Sequence, residues 1–278
     1  PYGLFANGDS WVIGPVTIAS VTPDFDGAHH GLEVNPADLA LQGFDARVDG
    51  FDATRVPALP YTAQPGESLI KAVSLEPLDD TACRPCLRTA SVLTVLAKAP
   101  QDLGETVFRP PYFGTEKPQY STSSLRTDLL PSLAPTASAP ALADTLARFA
   151  RVHLDHKQCW TGAGLHPTEN MAEYGASVSM ESAEGVLRIM LSDPLEDKRP
   201  LLVAYVQTGI DLYHMLANGQ TWPANGGHGE GRKLPIAFAA ALLGDAEMAA
   251  AVRDAPSDAF GENGGMYASE EAGKVLWG

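Results

Sequence analysis

The residues best suited to chemistry crowd into one glycine-rich stretch. From Gly219 to Lys233 the chain reads GQTWPANGGHGEGRK, with five glycines within thirteen residues. Ordering so many glycines is entropically costly, so a purely connective loop is better served by other residues, whereas glycine is useful where backbone must approach a ligand closely. Trp222 has a broad apolar face that suits stacking on a sugar ring, or it pins the loop to the core. His228 is a candidate acid or base near neutral pH, or a hydrogen-bonded loop histidine. Asn225, Glu230, Arg232 and Lys233 supply further polar groups. The two cations directly precede a helix whose first amides have no intrahelical partner, an end that suits a carboxylate, sulfate or phosphate. The Gly-x-x-x-x-Gly-Lys-Ser/Thr order is absent, which argues against nucleotide hydrolysis. A flexible surface loop is the bland alternative.

Upstream, Gln207, Asp211, His214 and Asn218 fall on one helical face amid apolar residues. A helix apolar around most of its circumference is normally interior, so its polar stripe must face water or be satisfied inside. The stripe is read either as a solvent edge or as the lining of a cleft that the glycine-rich loop completes. Two other places carry functional groups: the loop from His166 to Met171 with Tyr174, and Arg109, either a residue reaching across a domain boundary or an interdomain salt bridge. His153 and His156 stand at helical spacing and with His166 suggest a metal, but no acidic triad strengthens that case, and neither a metal nor a cofactor is expected. His29 and His30 read as an isolated surface pair. The segment from Asp24 to Gly27 is turn chemistry without the acidic ladder of a calcium loop.

These residues need positioning elements. Short β-like runs, Trp11–Val21, Ser68–Leu75 and Ala90–Leu96, alternate with turn residues in the first half. Residues 114–141 are rich in Pro, Ser, Thr and Ala without sustained periodicity. From Leu142 the period becomes helical, with helices expected to about Lys157, over Gly175–Ser192, Arg199–Ala217 and Leu234–Leu243, and a further one from Glu247. Pro200 and Pro235 suit first turns. The expected class is α+β: a β-rich, sandwich-like domain over 1–115, a linker over 116–141, and a helical, partial α/α-toroid-like domain over 142–278.

The chain has 278 residues and a net charge of −15. The acidity is spread, at −7 for residues 1–140 and −8 for 141–278. Such a balance opposes nucleic-acid binding, and it opposes a highly anionic ligand unless a local basic patch outweighs the field. No apolar run is long enough to span a bilayer. Three cysteines do not make a zinc ribbon, and Cys83 and Cys86 are read as a small local disulfide or two free thiols. Pro1 in place of methionine suggests processing or trimming, and Lys274–Gly278 offers no obvious closing element.

The pairing of Val206–Tyr213 with Gly226–Pro235, followed by an apolar helix, resembles α/α-toroid polysaccharide-degrading proteins of the heparinase and alginate lyase kind, over roughly residues 142–278. The resemblance implies β-elimination on a uronic-acid polysaccharide. One group must neutralise the carboxylate, for which Asn225 and Arg232 are candidates, and a base must remove the C5 proton, for which His228 and Tyr213 are candidates. Trp222, Gln207, His214, Lys233, Tyr174 and His166 are the expected substrate contacts. A glycoside hydrolase would instead need two carboxyl groups, Asp211 and Glu230 being nearest. A noncatalytic glycan-binding or cell-surface assembly protein is the other alternative. The implied partner is a polysaccharide or oligosaccharide, and the implied location secreted, periplasmic or cell-surface.

Overall fold

Alternating apolar residues build the sheet. The computed structural model describes residues 1–79, 81–158, 160–269 and 273–277. Strands β1 (Tyr2–Leu4), β2 (Ser10–Ile13), β4 (Leu32–Val34), β6 (Ser68–Ser74) and β7 (Leu87–Leu96) form one mixed sheet in the order β1-β2-β7-β6-β4, parallel only between β2 and β7. Successive side chains point to opposite faces of a strand. Ile70, Ala72, Ala90 and Val92 therefore pack with the helices, while Leu69 and Val95 form a separate cluster with Leu32 and Ala63. That second face is covered by an antiparallel ribbon of β3 (Val16–Ile18) and β5 (Tyr61–Ala63). The run expected over Trp11–Val21 is thus two strands in two sheets, divided at Gly14 and Pro15, because proline has no amide to continue the ladder. A hairpin of β8 (Met266–Ser269) and β9 (Lys274–Trp277) follows near the end.

The helices are α1 (Leu142–Ala147), α2 (Gly175–Ile189), α3 (Leu195–Ala217), α4 (Lys233–Leu243) and α5 (Ala246–Arg253), so the chain is α+β. Helix α3 is central and touches the other four. Every residue from Leu201 to Leu212 is buried, as its nearly continuous apolar surface predicts. Its close approach to α4 requires Gly209, where a Cβ would collide with the Pro235 carbonyl. The helix begins four residues before Arg199, led by Glu196 and Asp197 in its first turn, so Pro200 lies inside it. Helix α2 stops short of Ser192 because Leu133 takes the backbone there: its amide donates to the Met190 carbonyl and its carbonyl accepts from Ser192.

The polar stripe of α3 faces inward. Asp211 is paired with Arg109, itself fully buried, which also pairs with Asp9. Burial pulls the Asp211 carboxyl upward while Arg109 opposes the rise. Gln207 donates to the Arg109 carbonyl at 3.1 Å, and His214 meets the Tyr120 hydroxyl at 3.3 Å. Arg109 is thus the bridge between the two halves. One apolar cluster joins them, from Phe44 and Leu87 to Tyr205 and Phe260. The stretch 116–141 runs along the helices, with the Arg126 amide donating to the Leu242 carbonyl.

One local expectation changes, and one open alternative is decided. His29 and His30 are buried, not surface residues: Asp26 holds the His29 ring, and the His30 ring accepts the Ser74 amide. Cys83 and Cys86 are joined in a disulfide, their Cα atoms 5.1 Å apart.

Candidate functional site

The site is organised by a segment expected to be helical. Helix α1 ends at Ala147, and the His153 ring donates to the Arg148 carbonyl at 2.7 Å just beyond that end. Residues 152–156 carry no helix. They carry Val152 and Leu154 into the core and deliver Asp155 and His156 to partners that a continued helix would not reach. His156, fully buried against the Tyr112 hydroxyl at 3.1 Å, is pushed down to about 4 by that burial and stays neutral near pH 7.

Asp155 is the hub. Its carboxylate accepts Arg232 Nε at 2.6 Å and Nη2 at 3.1 Å, the fork geometry of the strongest guanidinium pairs. His166 Nε2 lies 3.0 Å from the same carboxylate, and His166 Nδ1 faces the Ala172 carbonyl at 2.8 Å. Burial would raise the Asp155 carboxyl, but Arg232 and His166 outweigh it and hold the group well below the usual carboxylate range. The last guanidinium nitrogen donates to the Glu230 and His228 carbonyls, so Arg232 ties the glycine-rich loop to the chain beneath it. The Gln220 side chain donates to the Asp155 carbonyl, and its own oxygen is buried without a partner among the described residues.

Over this hub lies a small recess, with about 30 Å³ of space, lined by Asp155, Lys157, Trp160, His166, Gln220, Trp222, Asn225, His228 and Arg232 among others. The His228 ring stands edge-on to Tyr174 with centroids 4.8 Å apart, and its Nδ1 is buried without a partner among the described residues. Tyr174 donates to the Gly226 carbonyl at 2.6 Å, and the Gly227 carbonyl accepts the Ala176 amide at the start of α2. Gly227 has φ of 95°, and a Cβ there would collide with the Tyr174 hydroxyl. Part of the glycine content therefore serves docking of the loop on α2, a packing demand independent of any ligand.

Of the residues singled out in the sequence, His166, Trp222, Asn225, His228 and Arg232 meet at this recess, with Tyr174 beside His228. Gln207, Asp211, His214 and Tyr213 do not: they lie along α3 toward Arg109 and Tyr120. The cleft reading of the stripe is thereby corrected, since its charge is neutralised inside the protein. Trp222 is buried and stacked on Phe260 at 5.9 Å, so it anchors the loop, and no face is free for a sugar. Glu230 has its carboxyl carbon close against Gly261. Lys233 donates to Asn263.

The start of α4 also differs from its expectation as a ligand site. Glu262 supplies the carboxylate: it accepts the Gly231 amide at 2.8 Å and the Lys233 amide at 3.4 Å. Glu262→Ala is expected to destabilise the fold by about 0.5–2 kcal/mol, as for loss of an N-terminal cap, measured by urea unfolding. No change would show that the contact is idle.

Sequence reasoning missed Asp155, Lys157, Gln220 and Trp160. Trp160 is the exposed aromatic at the rim, 49% accessible, with its ring centroid 6.2 Å from that of His228. Asp155 and Lys157 were hidden in the misassigned helix. Among the described residues no three His, Cys, Asp or Glu side chains group as metal ligands. No helix is long and apolar enough to cross a membrane among the residues described. No protein-family model matches the chain, and neither a curated protein nor a solved structure matches it significantly.

Proposed function

We propose that the protein is a polysaccharide-active enzyme that cleaves a uronate-containing glycan by β-elimination. The observation that carries this reading is the charge of the recess. In a chain of net charge −15, its walls hold the cations Lys157 and Arg232, beside His166 and His228, with Asp155 as the one carboxylate of the lining. Arg232 is spent on Asp155 and on loop carbonyls, so its task is positioning. Among the described residues Lys157 makes only a 3.4 Å contact to the Thr161 hydroxyl and retains donors for a ligand. Lys157 and Asn225 bind and neutralise the sugar carboxylate, which acidifies the C5 proton; His228 takes that proton. The C5–H electrons form the C4–C5 double bond, the C4–O bond breaks, and the departing oxygen takes a proton from the protonated His228, directly or through water.

The hydrolase alternative is weakened because Asp211, one of its two carboxylates, is bound to Arg109. In the favoured reading, helices α1–α5 belong to part of an α/α toroid over 142–278, behind a sandwich-like unit over 1–115. The ribbon facing the five-stranded sheet supports the latter. The disulfide supports a secreted, periplasmic or cell-surface location, where such bonds persist. The test is to mix the protein with uronate polysaccharides and follow ultraviolet absorbance of the unsaturated product. A steady rise is expected. New reducing ends without absorbance would indicate hydrolysis, and binding without either signal would indicate a noncatalytic glycan-binding protein.

A further inference from the structure

We propose that the recess is a built water site, in which one ordered water links the His228 ring to Gln220 and Trp222, and that Gln220, acting through this water, is a positioning residue that sets which ring nitrogen of His228 is left to take a proton. The inference rests on the reading of His228 as the base. Three polar atoms of the lining residues are buried without a partner among the described residues: Gln220 Oε1, Trp222 Nε1 and His228 Nδ1. Gln220 is 1% and Trp222 5% exposed, so bulk solvent does not serve them. Buried polar atoms are costly to leave unpaired, and three around one recess point to a shared partner. The recess has about 30 Å³ of space. A buried water needs roughly 10–15 Å³ and roughly two to four polar partners, so the interior admits water, and a sugar lies across the mouth.

The mixture of groups selects water over an ion. The Gln220 amide nitrogen donates to the Asp155 carbonyl at 2.9 Å, so the amide oxygen, which only accepts, is the atom left for the recess. The Trp222 indole nitrogen only donates. An anion would oppose the Gln220 oxygen and the Asp155 carboxylate, whereas a cation would oppose the indole N–H, Lys157 and Arg232. Water satisfies both signs: it accepts from Trp222 and donates to Gln220, and its second lone pair accepts from His228 Nδ1–H. Because Nδ1 is buried, the ring meets a ligand through Nε2. A proton held on Nδ1 leaves Nε2 with the lone pair that removes the C5 proton. A carboxylate placed behind a catalytic histidine fixes its tautomer in the same way, and here a water and an amide stand in that place.

The experiment is NMR of the whole protein labelled with ¹⁵N-histidine, at about pH 8, where an ordinary imidazole is neutral. His228 is assigned by the signals missing from His228→Ala. It is expected in the Nδ1–H form, with a cross-peak between that proton and water. Gln220→Leu is expected to shift the tautomer ratio about tenfold or more toward Nε2–H, the effect of one lost hydrogen bond. Trp222→Phe, which keeps a ring to stack on Phe260 and removes the N–H, should weaken the water cross-peak. The Nε2–H form in the wild type, or no water contact at Nδ1, would overturn the proposal without any variant having to fold. An unchanged ratio in folded Gln220→Leu would overturn the role of Gln220. The expected tautomer and water contact in a protein that forms no unsaturated product from uronate polysaccharides would uphold the water site and overturn the reading of His228 as the base.

Discussion

Asp155→Ala is expected to destabilise the protein by about 3–5 kcal/mol, the usual effect of removing one partner from a buried ion pair. Asp155 and Arg232 are 3% and 2% exposed, so the variant strands a guanidinium where water does not reach it. His166 loses its carboxylate in the same step. Urea unfolding reads the loss as a lower midpoint at unchanged slope. A loss below about 1 kcal/mol would show that the loop is held by other contacts. The sign of the pH dependence follows from the depressed Asp155 carboxyl. Its stabilisation is fully present above the ordinary carboxylate value of about 3.9 and is lost as pH falls below that toward the folded value. Wild-type stability should therefore decline below about pH 4 by a component that Asp155→Ala lacks.

The parts of the fold legible in sequence are those in which local pattern and tertiary demand agree. The α3 run from Leu201 to Met215 reads as a helix with a long apolar surface, and Gly244 ends α4 in the left-handed conformation such a stop requires. Leu142–Lys157 misled because Leu142, Leu146 and Phe149 do follow a helical face, and Leu146 and Phe149 do join the core. What ended the helix was not a local breaker. The chain beyond Ala147 instead carries Asp155 to Arg232, 77 residues away.

The candidate site was half legible for the same reason. Glycine density marked the right loop and His228 within it, but the glycines also answer to Tyr174 and α2, which sequence spacing does not display. Trp222 and Trp160 were indistinguishable as residue types, and only burial separates the anchor from the exposed rim residue. The α3 stripe has suitable chemistry at suitable spacing, yet Arg109, 102 residues before Asp211, claims it. Chemistry-bearing residues announce their types in sequence; the direction they face is set by partners far along the chain.

The loop, finally, is accountable to one variant. His228→Ala removes the base without disturbing the Asp155–Arg232 pair, because Arg232 touches only the backbone carbonyl of residue 228. General-base catalysis contributes typically about 10²–10⁴-fold, so the rate of unsaturated-product formation from a uronate polysaccharide should fall by that factor. The measurement that tests the account most directly is this rate in wild type and His228→Ala, made beside urea unfolding and polysaccharide binding on the same samples. The account predicts a rate lower by at least about 100-fold, with the unfolding midpoint and binding retained. A folded His228→Ala protein that forms product at the wild-type rate would contradict it.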